Sequence, residues 1–182
     1  MRKNASSTKK VESASDLNSR LKIIFSGIML KKDVMKVVKV VGKNGLLLLK
    51  LAADPNKEIA SRASWTYRAW AGKNKAESKK LSAKTLGIID ASSFDPVIRN
   101  LLGTFVDHGY PMLLEGKMAD LCLRLFAEQE RAVAVHANAL GLLAGIAVKH
   151  PDIKQEVRLL AENHLKADKN AFKVRLRDFM QE

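Results

Sequence analysis

Apolar residues recur every three or four positions along most of the chain, which is the spacing of an amphipathic α-helix. The segment 32–42 is rich in valine, a residue that favours strands, but its apolar positions keep the helical spacing. The pattern therefore predicts an all-α protein of about ten helices. The expected ranges are 17–28, 32–42, 46–53, 57–72, 76–89, 96–106, 113–127, 131–149, 153–166 and 171–180.

Turn residues separate these segments, as at Asp54-Pro55-Asn56 and His150-Pro151-Asp152. Only 4 prolines and 10 glycines occur among 182 residues, which argues against a β-sandwich with its many tight turns. Residues 1–15 are rich in serine and lysine and have little to bury, so they are predicted to be a disordered basic arm. Residues 16–182 are predicted to form one domain.

Composition narrows the functional classes. With 47% hydrophobic residues the chain can form a core, and with Cys122 alone it can form neither an intrachain disulfide nor a cysteine zinc cluster. No apolar run approaches the roughly 18 residues of a membrane span, and the basic N-terminus is a poor signal peptide. A cytoplasmic location is therefore expected.

A weak internal repeat appears when the sequence is shifted by 37 residues. Basic or histidine side chains then align near the start of successive predicted helices. The aligned residues are Arg62, Arg99, His136 and Lys173. The predicted units are the helix pairs 59–95, 96–132 and 133–169, with a C-terminal cap at 170–182. A single helix pair cannot bury its apolar face, so neighbouring pairs are expected to stack.

Three segments carry a resemblance to a known group. They are 133–165 (VAVHANALGLLAGIAVKHPDIKQEVRLLAENHL), 59–70 (IASRASWTYRAW) and 95–102 (DPVIRNLL). In this order they resemble small bacterial HEAT-repeat-like proteins. The resemblance implies a right-handed α–α superhelix, a HEAT/armadillo-like solenoid with a concave surface. It implies no particular activity.

An aromatic and basic cluster lies in the predicted helix 57–72. Its members are Arg62, Trp65, Tyr67, Arg68 and Trp70. Trp70 falls on the apolar stripe of this helix and is predicted to be core, whereas Trp65 lies about 120° or more from that stripe. Trp65 is therefore expected to face either an adjacent repeat or an open groove, where it would stack on a ligand beside the arginines.

The aligned residues Arg62, Arg99, His136 and Lys173 have two interpretations. In a solenoid they would line one face and bind phosphate or an acidic peptide. Alternatively, each would pair locally with a carboxylate of the neighbouring unit, such as Glu58 or Asp95. The candidate binding residues are Arg62, Trp65, Arg68, Arg99, His136 and Lys173.

Motifs of known chemistry are missing from the sequence. It contains no GxGxxG, Walker, GxSxG or HExxH pattern, and the four histidines lack the spacing of metal ligands. Cys122 lies in an apolar helical stretch and is predicted to be buried. No catalytic residue, cofactor or metal site is therefore predicted.

The net charge of +13 is unevenly distributed. Residues 1–50 have 12 basic and 3 acidic residues and residues 51–100 have 9 and 5, whereas the remainder is almost neutral. The leading interpretation is a non-catalytic module that binds a protein or peptide partner. The alternative is a nucleic-acid-binding protein that uses the basic N-terminal half. A more specific version resembles the HEAT-like DNA-alkylation-repair glycosylases, although no aspartate lies in a matching motif near Trp65.

Overall fold

The computed structural model describes residues 13–166 together with residues 176, 177 and 179. The described residues form ten α-helices and no strand, so the predicted all-α class is confirmed. The helices are α1 (Ala14–Ser26), α2 (Lys31–Val41), α3 (Gly45–Ala52), α4 (Lys57–Lys73), α5 (Lys75–Lys80), α6 (Ser82–Ala91), α7 (Asp95–His108), α8 (Glu115–Ala127), α9 (Val133–Ala147) and α10 (Pro151–Lys166). Residues 1–12 of the predicted arm and most of the predicted helix 171–180 lie outside the described residues.

Local sequence explains where the helices begin and where one is interrupted. Asn56 caps α4, because its side-chain oxygen accepts hydrogen bonds from the backbone N–H groups of Glu58 and Ile59. The predicted helix 76–89 is divided into α5 and α6 at Leu81. The Leu81 N–H donates to the Glu77 carbonyl at 3.3 Å and, three residues back, to the Ser78 carbonyl at 3.0 Å. The second bond is of the 3₁₀ type and tightens the turn between α5 and α6.

The helices pack in a regular succession. Helices α1, α2 and α3 contact α4, α4 contacts α7, and α7 contacts α9. Helix α6 packs against α7 and helix α8 packs against α9. Helix α10 packs against both α8 and α9. The buried side chains of these helices form one hydrophobic cluster. Within the described part of the chain, no helix has both the length and the apolar character needed to cross a membrane.

A repeated hydrogen bond joins each central helix to an earlier part of the chain. Helices α4, α7 and α9 begin at residues 57, 95 and 133, and the sixth residue of each donates a side-chain N–H to a backbone carbonyl. The pairs are Arg62 Nη1 to Phe25 O at 2.6 Å, Asn100 Nδ2 to Ser61 O at 3.4 Å, and Asn138 Nδ2 to Arg99 O at 2.9 Å. The structural step is therefore 38 residues.

This step changes the register predicted at 37 residues. Arg62, Arg99 and His136 occupy the sixth, fifth and fourth positions of their helices. Each position turns a side chain by about 100° around the helix axis. The three side chains consequently lie in different environments. The Arg62 side chain is partly buried, the Arg99 side chain is exposed and the His136 side chain is fully buried.

Candidate binding groove

An open groove of about 830 Å³ lies along α4 and α7. Its lining residues are Lys31 of α2, Trp65, Arg68 and Ala69 of α4, and Arg99, Asn100 and Asp107 of α7. Three of the six candidate binding residues, Trp65, Arg68 and Arg99, therefore come together here. We call this surface the α4–α7 groove.

The two tryptophans of α4 have different surroundings. Trp70 is fully buried, stacks on Tyr67 with ring centroids 5.4 Å apart, and donates from Nε1 to the Gly42 carbonyl at 2.7 Å. Trp65 is only partly buried and lines the α4–α7 groove. Trp70 is thus a core residue, as the helical wheel predicts, and Trp65 presents part of its indole ring to the groove.

Arg68 is held rigidly at the side of the groove. Its Nε and Nη2 donate to the two carboxylate oxygens of Asp107 at 2.8 and 3.1 Å. Its guanidinium lies directly against Gly103, where a Cβ atom would overlap the guanidinium carbon and Nη1. The paired geometry and the close packing fix the orientation of the guanidinium, while Asp107 neutralises its charge.

Arg99 and Lys31 supply the uncompensated charge of the groove. Both residues are exposed, and neither side chain has an ion-pair or hydrogen-bond partner among the described residues. Since Arg68 and Asp107 cancel, the lining residues carry two net positive charges beside Trp65. An anionic group in this groove would be attracted to Arg99 and Lys31 and would not have to displace an existing partner.

The remaining candidate residues lie elsewhere. Arg62 donates to the Phe25 carbonyl and pairs at 2.6 Å with Glu58, which lies one turn earlier in α4. Its ion-pair partner therefore belongs to the same helix, whereas the second interpretation of the aligned residues expects a carboxylate of the neighbouring unit. His136 is fully buried. Its Nε2 donates to the Glu128 carbonyl at 2.9 Å, and its ring packs edge-on to Phe126. Lys173 lies outside the described residues.

The sequence did not single out Asp107, Gly103 or Lys31. Asp107 lies 39 residues after Arg68, close to the repeat length. A search for opposite charges at about one repeat length would have suggested the pair. The contact of Gly103 with Arg68 has no comparable local signal.

Other chemistry in the described region is limited. Burial raises the pKa of the Cys122 thiol to about 12, so the thiol stays protonated at neutral pH and is a poor nucleophile. The residues that the structure describes contain no group of three or more histidine, cysteine or acidic side chains placed to hold a metal ion.

Comparisons with protein-family models, curated proteins and solved structures find no match to this chain. The fold and the α4–α7 groove are therefore the features from which a function can be inferred.

The Arg68–Asp107 pair predicts a specific pH dependence. The hydrogen bonds from Arg68 hold the pKa of Asp107 below its ordinary value of 3.8. The stability that this pair contributes is therefore fully present above about pH 4 and is lost as the pH falls through the folded-state pKa. Carboxyl-carbon NMR should show Asp107 titrating lower in the wild type than in Arg68→Ala. Equal titration in both proteins would contradict the assigned pairing.

Proposed function

We propose that the protein is a non-catalytic α-solenoid module of the HEAT/armadillo type whose α4–α7 groove binds an acidic segment of a partner protein. The succession α4, α7, α9, each with a flanking helix and a step of 38 residues, supports the solenoid. In such folds the exposed surface of successive repeats is the usual place for an extended ligand.

One observation carries the proposal: two unpaired cations, Arg99 and Lys31, lie with the partly exposed ring of Trp65 in one open groove. The amide of Asn100 is already used, since Nδ2 donates to Ser64 Oγ at 3.1 Å and to Ser61 O. The groove consequently offers charge and an aromatic surface rather than a free amide for a peptide backbone. Carboxylates of the partner would contact Arg99 and Lys31, and an adjacent apolar side chain would pack on Trp65.

Nucleic acid is the second candidate, favoured by the concentration of positive charge in the first hundred residues. Exposed lysines without an ion-pair partner among the described residues are numerous from α2 to α6. They include Lys32, Lys39, Lys43, Lys50, Lys57, Lys75, Lys79 and Lys84. In this arrangement a base would stack on Trp65 and the phosphates would contact the cations.

The glycosylase version of the second candidate has less support. Of the described residues that line the groove, Asp107 is the one carboxylate, and both its oxygens accept hydrogen bonds from Arg68. A carboxylate engaged in this way, with a lowered pKa, is a weak base.

Fluorescence anisotropy with a labelled glutamate-rich peptide and a labelled single-stranded oligonucleotide of equal charge tests the proposal. We expect the wild-type protein to bind the peptide more tightly than the oligonucleotide. Trp65→Ala and Lys31→Glu/Arg99→Glu should each weaken it by about tenfold or more, since every tenfold loss corresponds to ~1.4 kcal/mol.

The matched control is Lys79→Glu/Lys84→Glu, which makes the same charge change on exposed lysines that do not line the groove. It should change the affinity only a few-fold, through the general field of the protein. Preferential binding of the oligonucleotide, with an affinity that falls steeply with salt, would replace the first candidate by the second. Failure to bind either probe at low salt would remove both.

A further inference from the structure

A second depression, separate from the α4–α7 groove, lies between α8 and α10 and has a volume of about 680 Å³. Its floor is apolar and is formed by Ala119 and Leu123 of α8, Ile146 of α9 and Ile153 of α10. Leu123 and Ile153 are only partly buried, so a ligand can contact them. We call this depression the acidic cleft because of the residues at its edge.

Four carboxylates surround the apolar floor. Glu115 is compensated by Lys149 at 2.8 Å and by His150 at 3.1 Å, and Asp120 has a longer contact of 3.4 Å with Arg124. Asp152 and Glu156 are exposed and have no ion-pair partner among the described residues. The acidic cleft therefore combines an apolar floor with a negatively charged edge, on a protein whose net charge is +13.

The residues around the turn between α1 and α2 have a complementary character. At the turn between α1 and α2, Ile28 is 91% exposed and Leu30 is 54% exposed, and Ile23 in the last turn of α1 is 73% exposed. Lys32, also exposed, follows directly in α2. We call Ile23, Ile28, Leu30 and Lys32 the turn patch. Large apolar side chains clustered at the surface beside a positive charge are typical of an interaction site.

We propose that the turn patch of one molecule docks in the acidic cleft of a second copy. The apolar side chains of the turn patch would cover the floor of the cleft, and Lys32 would approach the unpaired carboxylates of Asp152 and Glu156. Helices α4 and α7 lie between the two surfaces in the packing order, so the contact is made between molecules. Because the two surfaces differ, the contact is heterologous and the molecules associate head to tail.

Sedimentation equilibrium with two blocked variants tests this association. Ile28→Asp/Lys32→Glu blocks the turn patch, and Asp152→Lys/Glu156→Lys blocks the acidic cleft; all four positions are exposed, so both variants should fold. We expect the average mass of the wild type to rise above the 20.1 kDa of the monomer with concentration and to fall again when salt is added. Each blocked variant should remain a monomer.

An equimolar mixture of the two variants gives the decisive measurement. The mixture contains one intact turn patch and one intact acidic cleft, so it should form a dimer of about twice 20.1 kDa and nothing larger. Lys79→Glu/Lys84→Glu, which alters charge at neither surface, should associate like the wild type. A wild type that stays monomeric, a blocked variant that still associates, or a mixture of folded variants that fails to dimerise would each overturn the proposal. None of these results depends on ligand binding in the α4–α7 groove.

Discussion

Replacing Trp70 with alanine should lower the free energy of unfolding by about 3–5 kcal/mol, the usual cost of truncating a buried aromatic side chain. The indole is fully buried and stacks on Tyr67, and its Nε1 donates to the Gly42 carbonyl. The ring also lies against Gly45, where a Cβ atom would overlap it. The substitution therefore leaves a cavity between α3 and α4 and an unpaired carbonyl at the turn before α3.

Urea denaturation followed by circular dichroism measures this effect, and Trp65→Ala is the matched control. Trp65 lies on the same helix but is partly exposed in the α4–α7 groove, so its removal should cost about 1–2 kcal/mol at most, in proportion to the apolar area it buries. Similar losses of stability in the two variants would contradict the assignment of Trp70 to the core and Trp65 to the groove.

The second large effect is expected at Asp95, which links the start of α7 to the residues just before α9. Its carboxylate accepts hydrogen bonds from Arg131 Nη1 at 2.9 Å and from the Ala132 backbone N–H at 2.5 Å, just before α9 begins. Arg131 and Asp95 are only 19% and 26% exposed. Asp95→Ala should lower the free energy of unfolding by about 2 kcal/mol, because it removes the side-chain acceptor of the Ala132 N–H and one partner of a mostly buried guanidinium. Arg131 keeps its ion pair with Glu128 at 2.6 Å and its hydrogen bond to the Ser93 carbonyl.

The chain offers a close control for this prediction. Asp90 of α6 also pairs with an arginine, Arg124 of α8, at 2.7 Å, but about half of each side chain is exposed to water. Asp90→Ala should therefore cost no more than about 1 kcal/mol. If thermal or urea unfolding gives equal losses for Asp90→Ala and Asp95→Ala, burial of the Asp95 pair is not what stabilises the contact between the start of α7 and the residues before α9.

The candidate site shows how far local sequence reasoning extends. The angular positions of Trp65 and Trp70 follow from the geometry of one helix, so the sequence separates the core tryptophan from the groove tryptophan. The ion pair between Arg68 and Asp107 cannot be predicted in this way, because it depends on how α4 and α7 pack side by side. The difference between the exposed Arg99 and the hydrogen-bonded Arg62 cannot be predicted either, because their sequence contexts are similar.

The internal repeat was also predicted only in part from the sequence. The sequence period of 37 residues is close to the structural step of 38, because α4, α7 and α9 bury apolar residues at similar intervals. Sequence comparison aligned residues by type and so grouped Arg62, Arg99 and His136, whereas the repeated hydrogen bond is made by Arg62, Asn100 and Asn138. A shift of one or two residues in register turns a side chain by about 100–200° around the helix, enough to move it from the surface into the core.

The helical class, most helix positions, the single cysteine and the concentration of positive charge in the first hundred residues can all be read from the amino-acid sequence. These properties depend on composition and on the periodicity of neighbouring residues, which are local. The folded structure is needed to see which cations remain unpaired, that Trp65 lies with Arg99 and Lys31 in one groove, and that Asp152 and Glu156 border an apolar cleft. These arrangements arise from contacts between residues far apart in the chain, and such contacts depend on the packing of whole helices rather than on any one segment.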